Sequence, residues 1–153
     1  MNPLILPALT IIIPSIGALM GLFFSQLEDS VAAEGKTRDW LLFILFFLPT
    51  MIISFFLIFH MHKNLSYSVR WLPGIYFGIQ LSEFSTLLAC VVSSLGAAIA
   101  LFSINFMEFD SHRNSFWFFL QLAQAGMMLG LFANTLLWMF GGFEVAALSA
   151  FFL

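Results

Sequence analysis

The 153-residue sequence has very little charge: Asp, Glu, Lys and Arg make up only 8% of it, against roughly 25% in a typical soluble domain. Hydrophobic residues make up 61%, and the mean hydropathy is +1.02. So apolar a chain cannot cover its surface with polar side chains in water, and a soluble domain is excluded. The composition and the long apolar runs predict one all-α integral membrane domain.

Basic residues and cysteine are scarce as well. Five Lys and Arg stand against eight Asp and Glu, so the net charge is −3, and we expect no nucleic-acid partner. Cys90 is the single cysteine, which excludes an intrachain disulfide and a metal site built from thiolates. The motifs of soluble enzymes, such as Walker A, the Rossmann glycine fingerprint and H-E-x-x-H, are missing. We therefore expect no catalytic site within the chain, no metal and no cofactor.

Five apolar stretches alternate with short polar segments. Each stretch is close to the roughly 20 residues that a transmembrane helix needs. They predict a bundle of about five transmembrane helices in a single domain of residues 1–153. The protein would be multi-pass, in a prokaryotic cell membrane or an organellar inner membrane. The predicted spans are residues 3–24, 40–59, 84–106, 115–133 and 135–153.

The connections between these spans differ in polarity and length. Residues 25–39 carry six charged side chains and residues 107–114 carry three, so both segments are expected in water. Residues 69–81 are mixed, and either an interfacial segment or a short β-hairpin is expected there. Only two residues separate the fourth and fifth spans, which predicts antiparallel neighbouring helices. Pro49 is expected to bend the second span.

Glu144 is the only ionisable residue of the fifth span and lies near its middle. A helix of that length rises about 28 Å, so the carboxyl group is expected near the membrane midplane. Burying an acid there costs on the order of 3 kcal/mol, and such residues usually face a partner or an ion path. Two hypotheses follow. Glu144 either exchanges protons in an ion path, or is a structural acid kept neutral or hydrogen-bonded by a neighbouring helix.

The fourth span contains both small and polar residues. Gly126 and Gly130 form a G-x-x-x-G pattern, which lets a neighbouring helix approach closely and indicates helix packing. Gln121 and Gln124 need an internal partner in lipid, either a neighbouring helix or a chain of internal water. The candidates for polar neighbours of Glu144 are Asn134, Gln121, Gln124 and Glu83.

Residues 142–153, GFEVAALSAFFL, resemble the W-E-x-x-x-L-x-S-[YF]-L-L stretch of antiporter-like subunits. Respiratory complex I, Mrp-type cation/proton antiporters and membrane-bound hydrogenases share this family. Residues 77–82, 101–107 and 131–137 are similar to further motifs of it, so the resemblance covers residues 71–153, and the first two spans only by hydropathy. The departures are Phe143 for the usual Trp, Asn134 for Asp, and Ser82 with Glu83 for Asp-Gly.

The resemblance implies that Glu144 is the family's essential glutamate on the fifth helix. In that family the glutamate works with a lysine on a later helix, whereas no lysine follows Lys63 in this sequence. It therefore implies half of a charge pair, with the other half on a separate chain, on a continuation of this one, or lost. The apolar end of the fifth span, which lacks an interfacial anchor, is likewise expected of a fragment or of a chain that another polypeptide continues.

We therefore expect a membrane subunit of a proton- or sodium-translocating complex, with other membrane subunits, the lipid bilayer and H⁺ or Na⁺ as its partners. Glu144 would be its protonatable site. Two alternatives stay open: a structural membrane-arm subunit that does not pump, and an independent small carrier.

Overall fold

The computed structural model describes residues 5–27, 35–60, 65–72, 75–107 and 113–153. Within them the helices and strands pack as an apolar helical bundle with one hairpin, which confirms the predicted all-α membrane fold. Residues 28–34 and 108–112, which belong to the segments expected in water, lie outside the described residues. The elements are α1 Ile5–Leu27, α2 Gly35–Leu42, a π-helical turn Phe43–Phe47, α3 Leu48–His60, β1 Leu65–Leu72, β2 Ile75–Leu81, α4 Glu83–Phe106, α5 Arg113–Phe132 and α6 Leu136–Phe151.

Three described helical segments are long and apolar enough to cross a bilayer: Thr37–Phe59, Glu83–Phe106 and Arg113–Phe132. Two further apolar stretches, Ile5–Gly21 within α1 and Leu136–Phe151 of α6, are shorter. The 16 residues of α6 rise about 24 Å, somewhat less than the hydrocarbon thickness. The total of five spans therefore stays a prediction.

The second span contains the π-helical turn immediately before Pro49. Proline has no N–H to donate to the carbonyl four residues earlier, and its ring crowds that carbonyl. The N–H of the preceding residue, Leu48, donates to the Phe43 carbonyl, which is five residues back rather than the four of an α-helix. This is the π-helical spacing. Thr50 Oγ1 donates to the Phe46 carbonyl at 2.6 Å. A local change in hydrogen-bond register therefore precedes Pro49, and the bend expected there stays a prediction.

Between α3 and α4 the structure has a β-hairpin, which was one of the two alternatives for this segment. Strands β1 and β2 are antiparallel, with Tyr67 opposite Ile79 and a register shift between Arg70 and Leu72. The hairpin begins at Leu65, four residues before the predicted segment. The Asn134 N–H donates to the Gly78 carbonyl at 3.2 Å, so the turn between α5 and α6 is attached to β2.

The alternating helix directions give the bundle two distinct ends. The hairpin and the α5–α6 turn lie at one of them, which we call the hairpin end. Asp39 of α2 and Arg113, the first residue of α5, pair at the other, which we call the ion-pair end. Two groups of buried side chains form the core: one around Phe47 and Trp117, and one around Met128 and Phe132.

Candidate functional site

Glu144 is the ninth residue of α6 and is exposed. The side of α6 that packs in the bundle carries Gly142, Ala146 and Ser149, all of which are buried. Successive residues of a helix are about 100° apart, so Glu144 lies roughly 200° from Gly142, on the opposite face. Among the described residues, none forms a hydrogen bond or an ion pair with its carboxyl group. The carboxyl group therefore points away from the described helices at mid-helix.

Glycine on both helices fixes this orientation of α6. A Cβ atom added to Gly126 would lie 2.7 Å from the Gly142 carbonyl oxygen and 2.7 Å from the Ala146 nitrogen. A Cβ added to Gly142 would lie 2.7 Å from the Gly126 carbonyl oxygen. Gly130 lies against the Phe143 ring and the Gly142 backbone. The two backbones touch along this line, so α6 cannot turn about its axis without separating from α5.

Gly142→Leu is therefore expected to separate α5 from α6 and to destabilise the bundle. The added side chain meets backbone atoms, which cannot move aside as a flexible side chain could, and overpacking of this kind typically costs about 1–3 kcal/mol or more. Gly141→Leu is the matched control, because a Cβ at Gly141 meets nothing within 4 Å. Thermal unfolding of the detergent-extracted protein measures both variants. Equal midpoints for the two would contradict the close approach.

An apolar groove of about 320 Å³ lies beside the same helix, between α4 and α6 and over α5. Phe143 lines it, at the position where antiporter-like subunits usually have Trp. Glu144 is not among its lining residues, so the groove and the carboxyl group are on different faces of α6. The groove is lined by Val92, Met127, Leu131, Phe143, Ala146, Ala147 and Ala150.

Two of the expected polar neighbours of Glu144 lie at the hairpin end. Asn134 is bound to β2 through its backbone, and Thr135 Oγ1 donates to the Tyr76 carbonyl at 3.5 Å. Glu83 is the exposed first residue of α4, directly after the capping residue Ser82. Since Glu144 is in the middle of α6, the structure does not bring these residues to its carboxyl group.

The two glutamines of α5 are buried and face other helices than α6. Gln121 is 0% exposed, and a Cβ added to Gly17 of α1 would overlap its Oε1 atom. Gln124 is 4% exposed, and a Cβ added to Gly96 of α4 would overlap its Oε1 atom. The α5 face that meets α6 carries Gly126 instead. The glutamines therefore have their own surroundings, separate from Glu144.

A buried ion pair between Asp39 and Arg113 was not predicted from the sequence. Arg113 Nε donates to Asp39 Oδ2 at 2.7 Å, Nη2 lies 2.7 Å from the same oxygen, and Arg38 Nη2 lies 3.6 Å from Asp39 Oδ1. Asp39 is 0% exposed and Arg113 8% exposed.

Both residues were expected in water, and for these two that expectation is wrong. Helix α2 already begins at Gly35, so Asp39 is its fifth residue, and α5 begins at Arg113, so both side chains belong to helices of the bundle. Mutual pairing offsets the desolvation of each charge there. A signal was present in the sequence: two opposite charges, each next to an apolar run, on the same side of the predicted membrane.

The family model described as "NADH-Ubiquinone oxidoreductase (complex I), chain 5 N-terminus" matches residues 71–117. The resemblance to antiporter-like subunits is confirmed. NADH-quinone oxidoreductase subunit L of Mycobacterium tuberculosis, in strains CDC 1551 / Oshkosh and ATCC 25618 / H37Rv, is 28% identical to this chain over 87 residues.

The antiporter-like segment matched by the family model contains β2, α4 and the start of α5 and ends before α6. The similarity to the mycobacterial subunits covers 54% of this chain but only 14% of their length. The fold and the family resemblance thus agree that this is a multi-pass membrane protein.

Proposed function

We propose that the chain is a membrane subunit of a multi-subunit complex similar to respiratory complex I, in a prokaryotic cell membrane or an organellar inner membrane. In this proposal Glu144 is the group that takes up and releases a proton during H⁺ or Na⁺ translocation. The orientation of Glu144 carries this proposal. Its carboxyl group is exposed in the middle of an apolar helix and points away from the chain's own bundle. In hydrocarbon that arrangement costs on the order of 3 kcal/mol, which a helix docked on this face would remove.

The surroundings of Glu144 on α6 support a docked helix. Leu137, Phe140 and Leu148 are exposed by 59%, 58% and 58%, and they border the carboxyl group with apolar surface. A partner helix on this face would enclose the carboxyl group in a water-poor site. Electrostatic interactions of the carboxyl group with a cation or with polar groups are stronger there than in water. The arginine that is buried in the bundle, Arg113, is already paired with Asp39. The complementary group would then lie outside the described residues, on another subunit or on a continuation of this chain.

A specific observation favours the second candidate, a structural subunit that does not pump. The buried glutamines of α5 face α1 and α4, so the polar residues of the described chain do not form a path to Glu144. In this case Glu144 would serve to fix the docked helix.

Crosslinking tests whether the Glu144 face is covered. Leu148, one turn after Glu144, and Leu95 of α4 are both 58% exposed in the chain alone, so they form a matched pair. With a photoreactive residue at position 148, we expect crosslinks to another membrane subunit after mild extraction as a large complex, and fewer from position 95. A monodisperse, active monomer without protein crosslinks from position 148 would contradict the docked helix and favour the independent carrier.

Translocation itself is tested by Glu144→Gln in the assembled complex, for which we expect loss of ion movement without loss of the subunit.

A further inference from the structure

The α6 wall of the apolar groove combines one large side chain with three small ones. Phe143 lines the groove together with Ala146, Ala147 and Ala150, and positions 143, 146–147 and 150 share one side of the helix. On the opposite wall, Val92 is the lining residue of α4. Among the described residues, α4 and α6 scarcely touch each other, although each packs against α5. The groove therefore separates two helices that share a neighbour.

The three alanines alone would not keep α6 apart from α4. Small side chains let helix backbones approach closely, and in lipid the closer packing is favoured by van der Waals contacts. The glycine contacts with α5 do not oppose such an approach. They fix how α6 is turned about its own axis, whereas a sideways movement over α5 can pivot about the contact between Gly126 and Gly142. Something else must hold α6 in its sideways position.

The Phe143 ring lies where α6 would have to move. A Cβ added to Gly130 would lie 3.0 Å from Cε1 of this ring and 3.1 Å from Cδ1 and Cζ, so the ring rests on the Gly130 backbone. The missing side chain at Gly130 provides the space for it. Among the described residues that line the groove, Phe143 is the single aromatic one. It is 42% exposed, so more than half of its surface is covered.

We propose that Phe143 is a positioning residue: its ring, placed on Gly130, keeps α6 apart from α4 and thereby sets the direction in which Glu144 faces. Glu144 is the next residue, and its side chain leaves the helix about 100° further round. Without the ring, α6 moves over α5 toward α4 and carries the carboxyl group with it. A proton passes only between groups within hydrogen-bond reach, so a small displacement slows translocation. This inference rests on the function proposed for Glu144.

Disulfide crosslinking in the assembled complex measures the separation of the two helices. Val92→Cys and Ala147→Cys place one thiol on each wall of the groove, and Cys90→Ala removes the native thiol. A disulfide needs Cα atoms within about 7 Å of each other. We expect Phe143→Ala to raise the crosslinking rate several-fold. In the matched control, Val145→Cys replaces Ala147→Cys, since Val145 is not a lining residue of the groove, and crosslinking should stay low with and without the ring.

Ion translocation, normalised to assembled complex, tests the effect on Glu144. We expect Phe143→Ala to lower translocation several-fold. Phe143→Trp keeps an aromatic ring at this position and should retain most of the activity. Phe84→Ala is the matched control, because Phe84 is a 72% exposed phenylalanine in the first turn of α4, and it should translocate at the wild-type rate.

Equal crosslinking rates with and without the Phe143 ring would overturn the proposal. Wild-type translocation by Phe143→Ala, or a loss of translocation that Phe143→Trp shares, would overturn it as well. The crosslinking rates do not depend on proton exchange. Wild-type pumping by Glu144→Gln would therefore contradict the proposed function and leave the effect of the ring on the helix separation intact. If Phe143→Ala does not assemble, Phe143→Leu, which also lacks the ring but keeps more volume, replaces it in both measurements.

Discussion

Glu144→Gln is expected to abolish ion translocation while the subunit still assembles. Glutamine keeps the shape and much of the hydrogen bonding of the carboxyl group but cannot take up or release a proton. Glu144→Asp keeps the acid on a shorter side chain, so part of the activity should remain. Ion uptake into membrane vesicles, driven by the complex's own reaction and normalised to assembled complex, measures all three proteins.

Glu83→Gln is the matched control for this substitution. It replaces the carboxyl group of an exposed glutamate at the start of α4, and we expect wild-type translocation. A structural acid at position 144 predicts the reverse pattern: Glu144→Gln would be tolerated, whereas Glu144→Ala would leave a partner unpaired at a cost of about 1–3 kcal/mol. Wild-type pumping by Glu144→Gln would contradict proton exchange at Glu144 and leave the structural subunit as the better explanation.

The helical fold was predictable because, in lipid, the apolar sequence pattern and the hydrogen-bonding needs of the backbone both favour a helix. An apolar run of about 20 residues must satisfy its own backbone hydrogen bonds, so its length and position define a helix with little influence from its neighbours. The position of Glu144 at mid-helix follows from the same reasoning. The hairpin was left open against an interfacial segment, because its pairing depends on contacts such as that between Gly78 and Asn134, which are distant in sequence.

The direction in which polar side chains point could not be predicted, because it depends on how each helix is rotated in the bundle. When a helix is apolar on all sides, its hydropathy pattern does not show which side faces the rest of the bundle. Glu144, Gln121 and Gln124 were therefore grouped as neighbours. The glycine contacts between α5 and α6 fix how these two helices are rotated. The glutamines of α5 therefore face α1 and α4 and not α6. Asp39 was assigned to water for a related reason, since a charge next to a loop is buried only when an opposite charge meets it.

Asp39→Leu is expected to destabilise the bundle by about 3–5 kcal/mol, since it removes the carboxylate that is paired with the buried Arg113 guanidinium. Asp39 is fully buried and Arg113 nearly so, and their side chains join α2 to the first residue of α5 at 2.7 Å. Arg113→Leu should cause a loss of similar size, because it leaves the carboxylate buried. Detergent-extracted protein followed by thermal unfolding, together with the yield of assembled complex, measures both variants. Glu83→Leu, at an exposed acid, controls for the loss of one negative charge and should change stability by roughly 0.5 kcal/mol or less.

The double variant Asp39→Leu/Arg113→Leu distinguishes a paired charge from two separate effects. Replacing both members of a buried ion pair by apolar residues is often neutral or stabilising, because the desolvation cost of both charges disappears together. We therefore expect the double variant to regain most of the stability that either single variant loses, which gives a large coupling energy in the mutant cycle. If the two losses simply add, then the pair does not hold α2 to α5, and each residue contributes through other contacts.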